Sequence, residues 1–144
     1  MRKNIRYIIS ALICLISLQA NAQAPNWSVN ERDFQYQMAV VGVINLDGIE
    51  STDTNDKLAA FINGEVRGVG QPVYLANYNR YVVYMNIYHH DGNGTISFKI
   101  YDDSHNRIVD LEQTENFEIQ SLRGNTEAPI AYSFPRLSSE ANML

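Results

Sequence analysis

Cysteine is almost absent from this chain. The single one, Cys14, lies in a stretch that reads as a cleaved leader, so the remaining sequence offers no disulfide, thiol nucleophile or thiolate metal ligand. Positive charge is also scarce, with 11 Lys and Arg against 16 Asp and Glu and a net charge of −5. No run of Lys or Arg occurs, which argues against nucleic acid, whose phosphates select clustered positive charge. Capped amphipathic helices and internal repeats are missing too. So are the Gly-x-Ser-x-Gly elbow, the His-Glu-x-x-His helix and the glycine-rich phosphate loop. These absences remove the common nucleophilic, zinc-hydrolase and nucleotide chemistries from consideration. What is present is an apolar fraction of 45%, enough for an ordinary globular core.

Residues 1–22 have the layout of a signal peptide. Arg2, Lys3 and Arg6 form a positive start, Tyr7–Leu18 is apolar, and Ala20-Asn21-Ala22 is a small-residue cleavage site. About twelve apolar residues would rise only about 18 Å as a helix, short of a bilayer's roughly 30 Å core. Cleavage is therefore expected, with no membrane span afterwards. Ile13 precedes Cys14 inside the apolar run, so a lipid anchor is not expected. Cleavage after Ala22 would leave 122 residues with 8 basic against 16 acidic side chains, a charge of −8. That is one domain, 23–136, followed by a short tail at 137–144.

The pattern in that domain has period two, as in strands. Across 34–46 the apolar residues Phe34, Tyr36, Met38, Val40, Ile44 and Leu46 share one face. Residues 57–70 read as a hairpin about Asn63-Gly64, because a type I′ turn needs positive φ at both centres. Counting back pairs Ile62 with Glu65, Phe61 with Val66, Ala60 with Arg67 and Leu58 with Val69. Segments 80–89, 95–101 and 107–112 follow, with shorter ones near 117–122 and 130–134. Seven or eight short strands at this spacing predict an all-β protein, an antiparallel β-sandwich of immunoglobulin-like or jelly-roll type.

Trp27 before the strand at 34–43, then LAAFINGEVRGV (58–69) and ISFKIYD (96–102), resembles a β-sandwich module of secreted bacterial proteins of the Bacteroidetes type. Such modules are often found near type IX secretion sorting domains, and the resemblance spans about 27–132. It implies a cell-surface or extracellular accessory module, commonly without an assigned catalytic activity. This sequence shows one module and no sorting domain after residue 136, so periplasmic residence is the alternative expectation.

Two segments carry candidate chemistry. The acidic stretch 47–56 offers Asp47, Glu50, Asp53, Asn55 and Asp56 as oxygen ligands for calcium, which takes six to eight of them. It lacks the glycine and closing glutamate of an EF-hand, and a solubilising turn with an aspartate pairing Arg67 is the plainer reading. Around QPVYLANYNRY, the side chains of Tyr74, Asn77, Tyr78, Asn79, Arg80 and Tyr81 could form a glycan platform, rings for stacking and amides for hydroxyls. Tyr84, Tyr88 and Tyr101 read as core or sheet-surface residues. His89 and His90 end one strand and His105 follows the next, about 23 Å away, which speaks against a shared zinc site. All three read as solvated loop histidines. Glu65 and Arg67, two apart, read as a structural surface pair.

The expectation is thus an exported, non-enzymatic module for adhesion or surface binding, with polysaccharide as partner and no cofactor unless calcium binds. The alternative is a structural or protein-interaction module engaging an envelope or surface protein. A small glycan-active hydrolase ranks last.

Overall fold

Strand alternation places the core, and the longest strands show it best. In β1 (Tyr36–Leu46) Met38, Val40 and Ile44 are buried on one face, and in β7 (Thr95–Asp102) Ile96, Phe98 and Ile100 are. The computed structural model describes residues 23–134. The expected leader at 1–22, with Cys14, and the tail at 137–144 lie outside them. The other strands are β2 (Ile49–Glu50), β3 (Lys57–Ile62), β4 (Glu65–Gly70), β5 (Pro72–Leu75), β6 (Arg80–His89), β8 (Arg107–Asn116), β9 (Leu122–Arg123) and β10 (Ile130–Phe134). Helical structure among the described residues is limited to two three-residue 3-10 turns, Glu31–Asp33 and Ala76–Tyr78. None is long and apolar enough to cross a membrane.

The protein is an all-β sandwich of two sheets. One has the order β10-β1-β6-β5, with β2 and β9 also on β1; the other runs β4-β3-β7-β8. The hairpins β3–β4, β5–β6 and β7–β8 each stay within one sheet, and successive hairpins alternate between sheets. Their inner faces meet in one core of Met38, Val40, Leu58, Met85, Phe98 and Tyr132 with their neighbours. Ten strands replace the expected seven or eight, because β2 and β9 have two residues each and β5 has four. Pairing is mostly antiparallel, but β9 and β10 run parallel to β1, so the sandwich is mixed. Residues 117–122, expected as a strand, supply only the first residue of β9.

The hairpin at 57–70 begins as expected. Asn63 and Gly64 have φ of 52° and 78°, Ile62 faces Glu65, and Phe61 faces Val66. A bulge between Ala60 and Phe61 then shifts the register, pairing Ala60 with Gly68 and Leu58 with Gly70. Arg67 becomes the extra residue. It does not pair with the acidic stretch; its Nη2 bonds Glu65 at 2.9 Å and its Nη1 donates to His89 Nδ1 at 3.2 Å.

The shift has a packing consequence at the open side of the sandwich. Gly68 presses against β6, where a Cβ would lie 2.6 Å from the Asn86 carbonyl oxygen. At the opposite side, the Ser133 N–H donates to Gln113 Oε1 at 3.2 Å, and Tyr132 donates to Glu115 at 2.8 Å. The chain before β1 lies over the outer face of the second sheet, with Trp27 edge-on to Phe61 at 5.8 Å and Lys57 Nζ holding the Pro25 carbonyl. Trp27 therefore belongs to the packing of the sandwich.

Candidate functional site

The hairpin β5–β6 gathers the six residues of the predicted glycan platform. Tyr74 faces Tyr81 across the ladder, their rings 5.1 Å apart, and the Tyr74 hydroxyl donates to Asn79 Oδ1 at 2.9 Å. Asn79 ends the 3-10 turn in the left-handed region, which asparagine tolerates. Tyr74 and Tyr78 are 51% and 46% exposed, and Asn77 is exposed beside them. Arg80 is diverted into an ion pair with Glu50. The hairpin thus presents Tyr74, Asn77 and Tyr78, with Tyr81 and Asn79 fixing the Tyr74 ring.

The acidic stretch has a different environment from that expected of a bare loop. Asp47 and Gly48 turn the chain into β2, where Glu50 meets Arg80. Asp56 is buried, accepting from the Ser51 hydroxyl and from the Asp103 backbone N–H at 2.8 Å. The Asp53 carboxylate accepts from the Asn55 backbone N–H at 2.9 Å, and Asp47 faces Arg107 at 3.5 Å. Protein donors thus engage the carboxylates of Asp47, Glu50, Asp53 and Asp56, the calcium candidates; Asn55 contributes its backbone. No group of three or more metal-binding side chains is preformed among the described residues.

This stretch packs against the turn after β7, around a hollow of about 350 Å³. There Asp102 is buried and accepts from Arg107 Nε at 2.9 Å and from Ser104 at 2.9 Å. His105 Nδ1 lies 2.8 Å from Asp102 and 3.0 Å from Ser104 Oγ. A serine–histidine–aspartate relay needs the serine on one ring nitrogen and the aspartate on the other. Here both share Nδ1, so His105 cannot take the Ser104 proton while it is held by Asp102. The cluster clamps two loops together.

Two buried aspartates of this cluster respond oppositely to pH. Burial is the largest influence on each. It pushes Asp56 up, whereas for Asp102 the donors Arg107, Ser104 and His105 outweigh it and hold the carboxyl below its ordinary value of 3.8. Asp102 therefore stabilises the fold above that value, and its contribution disappears as pH falls through its lower folded value. Asp56 opposes folding as pH rises through its raised value. Asp102→Asn is expected to cost about 1–3 kcal/mol at pH 7, with the gap to wild type narrowing as pH falls below 3.8. Asp56→Asn is expected to be neutral or stabilising at pH 7. Urea midpoints followed from pH 7 downward check both.

Among the histidines, His105 and His90 are exposed, but His89 is buried against Arg67 and Phe117. The solvated reading of His89 fails because the turn after β6 folds back over it. Arg67 is itself buried, its guanidinium 4.6 Å over the Phe34 ring. Its Nε has no hydrogen-bond partner among the described residues.

No family model, curated protein or solved structure matches this chain.

Sequence reasoning missed Asp103 and Arg107 as partners of the acidic stretch, since some 50 residues separate them in the chain. Tyr84 and Tyr88, read as core or sheet-surface residues, stand on the outer face of the first sheet, Tyr84 49% exposed and Tyr88 half-buried, but the sequence reading assigned them to no site. Their i, i+2 spacing with Asn86 was the available signal.

Proposed function

We propose that the protein is an exported, non-enzymatic module that binds polysaccharide at a surface. One observation carries this reading: Tyr74 and Tyr78 stand exposed on a hairpin, with the Tyr74 ring braced by Tyr81 and Asn79. A large aromatic ring left in water but held in one orientation loses little conformational entropy on stacking against a sugar. Asn77 adds an amide beside the two rings. Export rests on the pattern of residues 2–22 and on the resemblance to secreted modules, with the cell surface or the periplasm as destination.

The protein-interaction alternative draws less support. The large exposed apolar side chains outside the hairpin, Ile49, Ile108, Ile119 and Leu122, come from β2, β8, the loop after β8, and β9. The His105 arrangement disfavours a serine relay only. Calcium has no observation in its favour beyond the acidic composition of 47–56.

Co-sedimentation with insoluble polysaccharides tests the proposal. Wild type is expected in the pellet with at least one polymer, and Tyr74→Ala/Tyr78→Ala is expected to bind about tenfold more weakly or not at all. Undiminished pelleting of the double variant would remove the hairpin from the site.

A further inference from the structure

The outer face of the first sheet carries a second aromatic array. Tyr84, Asn86 and Tyr88 alternate along β6 and point the same way, about 13 Å from first to last at 3.3 Å per residue. Opposite them on β1 stand Val41, Ala39 and Gln37. Ala39, being small, leaves the sheet low between the two tyrosines. β5 pairs only with residues 80–83 of β6, so among the described residues no strand pairs with the β6 edge from Tyr84 onward on that side. β4 approaches there instead through Gly68, leaving a crevice.

That crevice is one of two hollows that share Tyr88. The first, about 360 Å³, lies between Val29, Val69, Tyr84 and Asn86. The second, about 420 Å³, lies beside Gln35, Gln37, Glu31 and Arg32. Phe34 stacks near Tyr88 at 6.3 Å, and the Tyr88 hydroxyl donates to Glu31 at 3.2 Å, so that ring is held in place. Ring faces and five amide or carboxylate side chains, Gln120 being the fifth, thus line these two adjoining hollows, which form one depression along β6. Its two charged lining residues, Glu31 and Arg32, cancel. Elsewhere the domain is acidic, which repels an anionic polymer.

We propose that this depression seats an extended, uncharged polysaccharide chain, stacked on Tyr84 and Tyr88 and hydrogen-bonded by Asn86, Gln35 and Gln37. The inference rests on the glycan-binding reading and adds both a second site and a ligand class to it. A ligand of this kind touches many weak subsites in series, so affinity rises with chain length until the depression is filled.

Isothermal titration separates the two ideas. The probes are hydroxyethyl cellulose and galactomannan, both uncharged, and alginate, which is anionic. Wild type is expected to bind at least one uncharged polymer and to leave alginate free. Tyr84→Ala should weaken binding about tenfold, and Asn86→Ala should weaken it less. Both side chains are exposed, so both variants should keep the wild-type melting temperature. If both bind like wild type while Tyr74→Ala/Tyr78→Ala loses affinity, the groove is wrong and the hairpin reading stands. If alginate binds as tightly as the uncharged polymers, the ligand class is wrong. If wild type binds no polymer, both proposals fall together.

Discussion

Phe98→Ala is expected to destabilise the fold by about 3–5 kcal/mol, the usual cost of removing a buried aromatic ring. Phe98 sits in the middle of β7, fully buried, with its ring 4.7 Å from that of Tyr132. Tyr132 belongs to β10, the strand that joins the first sheet in parallel alongside β1. The contact therefore links the second sheet to the last strand of the first. Truncation removes the ring's transfer free energy and leaves a cavity, since flanking residues such as Ile96 and Ile100 on the same strand are already fully packed. The Tyr132 hydroxyl stays tied to Glu115, so its ring cannot swing in to fill the gap without losing that bond. Urea denaturation should show a lower midpoint with an unchanged slope. A loss under about 1 kcal/mol would mean that the two sheets do not depend on this contact.

The second large effect is expected at Gly68. A side chain there meets backbone: the Asn86 carbonyl oxygen at 2.6 Å, with Met85 and Ile87 just beyond 3 Å. Gly68→Val must therefore push β4 away from β6, at a cost of about 1–3 kcal/mol or more. Because the obstacle is main chain inside a ladder with β1, it cannot yield by a rotamer change. The displacement should be local, raising amide exchange along β4 and residues 84–88 while β7 and β8 stay protected. Val69→Ala next to it, at a half-buried position, provides the contrast and should cost less. Gly68 also lines the depression along β6, so the same change should weaken polysaccharide binding there.

Much of this architecture is legible in the sequence, and what is not legible shares a cause. The strands with clean alternation, β1 and β7, and the Asn63-Gly64 hairpin depend on local pattern and turn chemistry, which a sequence displays directly. The bulge at Ala60/Phe61 does not. It places Arg67 between Glu65 and His89, and His89 lies 22 residues away on a strand of the other sheet. The parallel pairing of β10 with β1 joins residues almost 90 positions apart and leaves no local mark. β5 was passed over because it begins at Pro72 and has only four residues, too few for alternation to be visible. For the candidate sites the same division holds. The hairpin tyrosines are neighbours in sequence, and the ladder sets Tyr74 against Tyr81. The acidic stretch read as a solubilising turn with an aspartate on Arg67, or as a calcium loop, because its actual partners, Arg80, Asp103 and Arg107, arrive from elsewhere in the fold.

Affinity electrophoresis of the protein through gels containing a panel of neutral and anionic polysaccharides, run with and without calcium, tests the central claim most directly. The account predicts retardation by at least one neutral polymer, with retardation reduced in Tyr74→Ala/Tyr78→Ala and no dependence on calcium. Free migration through every gel would contradict it.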